Sequence, residues 1–232
     1  MNKKTIIKNI SAIVLNLFIF LNVTIILIGK PKSFETYTVL SNIFLAITSL
    51  ATALNIMIKF KKEPPLNIAV AILKYSSIVT IVITYLTVII YLDPIWKGIN
   101  FSNTRMLFFH HINPLVALLT YLFLENRPKF SFKFFFVGMV PIVTYGIVYF
   151  VNILGFNNWR DFYHLLVDGS PIPALLIFIF AAFLLSIGIY FLRNLIGKKR
   201  SVEWLFLCCN NNQVWKLELL VVALAEYSQL LE

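Results

Sequence analysis

Thr38, in the run FETYTVLSNIF, and His110 and His111, in FFHHINPLVALLTYLFLE, are the side chains of this sequence that could do chemistry together. A hydroxyl with an imidazole beside it is the smallest nucleophile–base pair. The ring takes the hydroxyl proton while the oxygen attacks an electrophilic carbon. The target such a pair suits is the ester carbonyl of a lipid. Asn42, Asn113 and Tyr145 are the groups that could orient the base or donate to a developing oxyanion. Spacing alone does not single this chemistry out. A threonine at the start of a helix is usually a cap, and a histidine in a membrane often only hydrogen-bonds a neighbouring helix. The chain has no H-x-x-x-H, H-E-x-x-H or C-x-x-C, no Gly-rich phosphate loop and no G-x-S-x-G. Neither a metal nor a cofactor is therefore expected.

The elements that must position these residues follow from composition. The chain of 232 residues is 59% hydrophobic and only 13% charged, against roughly 45–50% and about 25% in soluble domains. Its mean hydropathy is +0.85. Six apolar runs are long enough to cross a hydrocarbon core of about 30 Å: Ile6–Ile28, Tyr37–Ile58, Ile68–Leu92, Met106–Leu124, Phe132–Leu154 and Ile172–Ile196. Backbone groups in lipid must pair within their own segment, which makes these runs helices. None shows the alternation of barrel strands. The expected fold is all-α, a polytopic membrane domain over residues 1–200. The first run is too long for a signal-peptide core and no A-x-A-like site follows it, so it is read as a retained helix. Residues 201–232, split by NNNQ, read as a tail with a short interfacial helix.

Charge sets the expected orientation. Lys3, Lys4, Lys8, Lys59, Lys61, Lys62, Arg127, Lys129, Lys133, Arg193, Lys198, Lys199 and Arg200 fall on one side, and only Lys30, Lys32, Lys97, Arg105 and Arg160 on the other. The positive-inside bias then puts both termini in the cytoplasm. The net charge of +10 is mostly this bias; scattered over short loops, it argues against nucleic acid as a partner. The two cysteines, Cys208 and Cys209, are adjacent, and no structural disulfide is expected.

Polar residues within apolar runs mark the candidate site. Thr38 and Asn42 share a helix face, as do Tyr145, Tyr149 and Asn152. By depth, these groups and the two histidines converge near the outer side, where Trp159, Arg160, Asp161 and His164 follow. Asn42, Asn113, Tyr145, Tyr149 and Asn152 are accordingly the expected substrate-binding set. Lys74 is read equally as snorkelling to the surface or as buried, while Glu125 and Arg105, at the two ends of the fourth run, are expected to reach water. With no Asp or Glu mid-span, a transporter built on charged relay residues is disfavoured. Pro141 is expected to kink the fifth run.

FETYTVLSNIF, NTRMLFFHHINPLVALLTYLF, VPIVTYGIVYFVN and WRDFY occur in that order. Over about residues 5–195 this resembles the six-span androgen-induced-protein-type family and its bacterial integral-membrane relatives. The shared features are an aromatic–Thr–x–x–Ser–Asn start to span two, His–x–x–x–Pro in span four and Pro–x–x–x–Tyr in span five. The animal members that it resembles are intramembrane hydrolases of fatty-acid esters of hydroxy fatty acids. The resemblance implies Thr38 as nucleophile and His110, four before Pro114, as its histidine, with His111 the adjacent competitor. It implies a lipid or fatty-acid ester as partner and no cofactor. The chain departs from the animal pattern in the Ser–Asn after the threonine and in its C-terminal segment. A Lys-, Asn-, Ile- and Phe-rich composition suits a bacterial plasma membrane. The competing expectation is a ligand-binding or transporter subunit without catalysis, in which the same polar face binds and does not react. A third is a structural membrane protein whose polar residues only join helices.

Overall fold

A computed structural model describes residues 3–29, 35–60, 65–93, 103–126, 128, 131–161, 163, 165–166, 170 and 172–198. His164, Cys208, Cys209, half of the orienting lysines and arginines named above and the whole of the 201–232 tail lie outside the described residues. Those that are described form helices, with no β-strand among them. Six are long and apolar enough to span a membrane: α1 (Lys3–Gly29), α2 (Tyr37–Ile58), α3 (Ile68–Leu92), α4 (Thr104–Leu124), α5 (Phe132–Gly155) and α6 (Ile172–Lys198). The bounds fall close to the apolar runs because length and hydropathy alone set them. Met1–Arg193 is one compact unit and Asn194–Glu232 a second; the bundle described here is the first.

Starts are written locally. The Asn67 side chain accepts from Ala69 N–H at 2.9 Å to cap α3. Asn103 accepts from Arg105 N–H at 3.1 Å to cap α4. Both supply the acceptor that a helix N-terminus lacks. α3 is the centre of the bundle. Of its apolar stretch 67% is buried, against 17% for α6, and it packs on α2, α4 and α5. The exposed Leu176, Ile177 and Phe180 of α6 are suited to lipid.

Hydroxyls in the spans are satisfied in two ways. Thr24, Thr52, Thr80 and Thr84 each donate to the carbonyl four residues back, at 2.7–3.0 Å. Others join helices: Thr48 donates to Ser77 at 2.8 Å and Thr84 to Ser41 at 3.0 Å, locking α2 to α3. With no water in the hydrocarbon core, either bond satisfies the hydroxyl; the buried Thr120 Oγ1 of α4 makes neither among the described residues.

Two prolines interrupt the spans, and each interruption is filled from a neighbour. Pro141 supplies no N–H to the Val137 carbonyl four residues back; Ser76 Oγ of α3 donates to that carbonyl at 2.9 Å. In α4 the stretch Phe108–Ile112 is π-helical, and Asn113 N–H reaches Phe108 O, five back. The next N–H in that register would serve Phe109 O, but residue 114 is a proline. Asn42 Nδ2 of α2 donates to Phe109 O instead, at 3.1 Å. Gly138 allows α3, α5 and α6 to meet closely. A Cβ there would collide with Ser186 Oγ and stand 2.9 Å from Val79 Cγ2. Around it Tyr75 OH donates to Ser186 O at 2.7 Å, and Ser186 Oγ to Phe135 O at 2.6 Å.

Candidate functional site

Four residues beyond Gly138 the packing opens. Ile142 and Gly146 of α5, Ile83 and Val88 of α3, and Leu175 and Phe178 of α6 line a cavity open on one side. Gly146 helps make the space, since a Cβ there would already stand 3.1 Å from Leu175 Cδ1. The wall is mostly apolar; its hydroxyls are those of Thr38, Tyr37, Tyr145, Tyr149 and Tyr163, which gather together, and of Thr84 and Thr87 on α3.

The cluster around Thr38 is roofed by the chain after α5. Asp161 anchors the roof: Tyr149 OH donates to Oδ1 at 2.8 Å, and Leu165 N–H and Leu166 N–H donate to Oδ1 and Oδ2, each at 3.0 Å. Tyr163 OH accepts from Tyr37 N–H at 2.9 Å, fastening the same segment to the start of α2. Tyr145 OH donates to the Glu35 carbonyl at 2.7 Å. The Tyr37 and Tyr145 rings lie 5.0 Å apart, and those of Tyr149 and Tyr163 5.6 Å. Trp159 packs into the same cluster. Burial raises the Tyr163 phenol above the ordinary tyrosine range, while Tyr37 N–H and Thr38 pull it back. The group facing Thr38 is thus a neutral hydroxyl and not a phenolate base.

The other sequence candidates fall outside this wall. Asn42 and Asn113 are fully buried between α2 and α4. Asn113 Nδ2 donates to Asn42 Oδ1 at 3.0 Å, and Asn42 Nδ2 donates to Thr38 O at 2.9 Å besides Phe109 O. One amide therefore spans from the backbone of Thr38 to that of Phe109, the neighbour of His110. His110 is 6% exposed, and its Nδ1 has no protein hydrogen-bond partner among the described residues. His111 meets the edge of Tyr85, ring centroids 5.8 Å apart. Neither histidine is on the cavity wall. Asn152 Nδ2 turns back to its own helix, onto Val148 O at 2.8 Å. Tyr37, Tyr163 and Gly146 belong to the site without having been singled out in the sequence. The signal for the two tyrosines was their place beside Thr38 and in the aromatic loop.

A second polar cluster lies toward the other end of the bundle; it decides between the two readings of Lys74 and corrects the expectation for Glu125. Lys74 does not snorkel, and Glu125 does not reach water: both side chains are 0% exposed, with Lys74 Nζ 3.8 Å from Glu125 Oε1. The lysine also donates to Ser49 Oγ at 2.7 Å and to Asn16 Oδ1 at 2.8 Å. Asn16 Nδ2 donates to Glu125 Oε1 at 3.3 Å. Arg193 closes the end of α4 by donating to Leu122 O at 2.9 Å and Glu125 O at 2.8 Å. The chain leaves the helix at Glu125, so its side chain turns inward while the arginine covers the frayed carbonyls. Five helices supply this one cluster.

Among the described residues, no three His, Cys, Asp or Glu side chains gather as a metal site would require. No protein-family model, curated protein or solved structure matches this chain.

Proposed function

We propose that this integral membrane protein takes the hydrocarbon chain of a lipidic ligand into the cavity between α3, α5 and α6, with the ligand's polar end against Thr38. The observation that carries this is the cavity itself, mostly apolar, with a cluster of hydroxyls from Thr38 and four tyrosines. Such a surface suits a molecule with one apolar body and one small polar end. With both termini cytoplasmic, as the loop charges favour, the cavity belongs to the outer leaflet of a bacterial plasma membrane.

A photoreactive diazirine placed mid-chain in 1-lauroylglycerol tests the reading. Crosslinks mapped by mass spectrometry should concentrate on 142–150 and 175–179. Crosslinks spread evenly over the lipid-facing residues of all six helices would sink it.

A second reading, hydrolysis of a fatty-acid ester, is favoured by the place of Thr38 on that wall, by the family resemblance and by the buried, unpartnered Nδ1 of His110. Thr38 Oγ would bond to the carbonyl carbon as its proton passes to the imidazole. The ester C–O bond would break, with that proton going to the departing alkoxide. Water would then cleave the acyl-threonine and restore the hydroxyl. The reaction requires His110 or His111 to swing toward Thr38, because no hydrogen bond among the described residues joins them. Labelling by a fluorophosphonate probe, present in the wild type and lost in Thr38→Ala, supports it. Equal labelling of both proteins rejects threonine as nucleophile.

A further inference from the structure

We propose that the cavity selects a neutral, single-chain amphiphile, an uncharged ester or alcohol, over an anionic lipid; this rests on the cavity being a chain-binding site. Two observations carry it. The first is the electrostatics of the hydroxyl cluster. The described residues on the wall include no lysine, arginine or histidine. What they offer is hydroxyls, and behind one of these stands a carboxylate, Asp161, at 2.8 Å from Tyr149 OH. Arg105 is turned elsewhere, over the Phe109 ring at 5.7 Å from its centroid, and Arg160 is exposed to the outside. Against these described residues an anionic headgroup would lose its hydration, meet no counter-charge and face a like charge. A neutral ester or hydroxyl needs only donors and acceptors of the kind that Thr38 and the tyrosines supply.

The second observation is size. From Ile142 to Tyr149 the wall climbs about 10 Å at 1.5 Å per residue, less than the roughly 15 Å of one leaflet. That depth matches the reach of one medium-length chain and falls short of the long chains of a membrane phospholipid. An ester of a hydroxy fatty acid, which the family resemblance implies, carries a free carboxylate; the wall favours a relative of it without one.

The test uses the full chain in phosphatidylcholine nanodiscs with two probes of equal chain length, 1-lauroylglycerol and monododecyl phosphate. Binding is followed by intrinsic fluorescence, with Trp159 beside Tyr149 as reporter. The neutral probe should bind saturably and at least tenfold more tightly than the phosphate. Gly146→Phe, which fills the space in front of Leu175, should remove that binding. Ile179→Trp, from the α6 wall, gives the same readout should the first variant fail to fold. Equal or tighter binding of the phosphate, abolished by the same variants, overturns the neutral selectivity and leaves the chain-binding site standing. Binding of both probes that neither variant changes overturns the site itself, and the selectivity with it.

Discussion

Asn42 Nδ2 lies 3.1 Å from the carbonyl oxygen of Phe109, the carbonyl that Pro114 leaves without an N–H in the π register of α4. Ser76 and Val137 repeat the relationship at 2.9 Å, in front of Pro141. In each case a proline opens a gap in one helix and a polar side chain of another closes it. A residue that looks like a catalytic donor in the sequence is thus a graft of one helix onto the next.

Replacing Asn42 with leucine should lower stability by about 1–2 kcal/mol, the range of a lost buried hydrogen bond in a membrane bundle. Pro114→Ala added to that variant should recover part of the loss, because residue 114 then brings its own N–H. Thermal unfolding of the four proteins of this cycle in detergent gives the answer. Losses that simply add would mean that the two residues do not share the Phe109 carbonyl.

Ser76→Ala should behave in the same way toward Pro141. The single variant unfolds earlier, by about 1 kcal/mol, and Ser76→Ala with Pro141→Ala unfolds later than Ser76→Ala alone. Amide exchange at residue 141, newly possible in the alanine variant, should be slow if its N–H has taken over the Val137 carbonyl.

The Lys74–Glu125 pair predicts an asymmetry. Removing one member takes from the other, a buried charge, the partner it faces at 3.8 Å, a loss of about 3–5 kcal/mol. Lys74→Met or Glu125→Leu should therefore express poorly or unfold early. Lys74→Met with Glu125→Leu should be far closer to wild type than either, because an apolar pair of similar volume needs no compensation. A double variant worse than both singles would show that Asn16 and Ser49 depend on the charges.

Asp161→Ala removes the acceptor shared by Tyr149 OH, Leu165 N–H and Leu166 N–H. Hydrogen bonds to a charged group contribute about 1.5–3 kcal/mol each, so the roof should open at least tenfold more often. Limited proteolysis between 156 and 170 should speed up accordingly, with thermal stability of the spans little altered. Unchanged cleavage would mean that the roof is held by its aromatic packing.

The spans were legible because crossing lipid is a demand on each helix by itself: about twenty apolar residues satisfy it wherever the helix stands. Thr38, Tyr145 and Tyr149 could be placed at a common depth by counting turns, and the cavity does gather all three. Which way a helix faces was not legible. His110 and Asn42 sit at the right depth, yet neither is on the cavity wall, and Asn42 bonds to α4 at Phe109 O instead, a matter of bundle order that spacing along one chain does not encode. Glu125 was misjudged, and Lys74 left open between two readings, for a related reason. A lysine near a span end snorkels only if no partner stands closer than the headgroups, and here the partners come from α1, α2 and α4. The role of each proline was half visible: the missing N–H is written in the sequence, but the side chain that replaces it sits 61 residues away at Val137 and 67 away at Phe109.

The hydroxyls of Thr24, Thr52, Thr80 and Thr84 each close onto their own helix, and this bears on how the protein is made. A span whose hydroxyls are already bonded internally can leave the insertion machinery alone, with no polar group waiting for a companion. α3 cannot, because Lys74 bonds to Asn16 of α1 and Ser49 of α2 and pairs with Glu125 at the end of α4. Biogenesis then has an order. α1 and α2, made first, must still be at hand when α3 emerges, and the four helices settle together only once Glu125 has been synthesised.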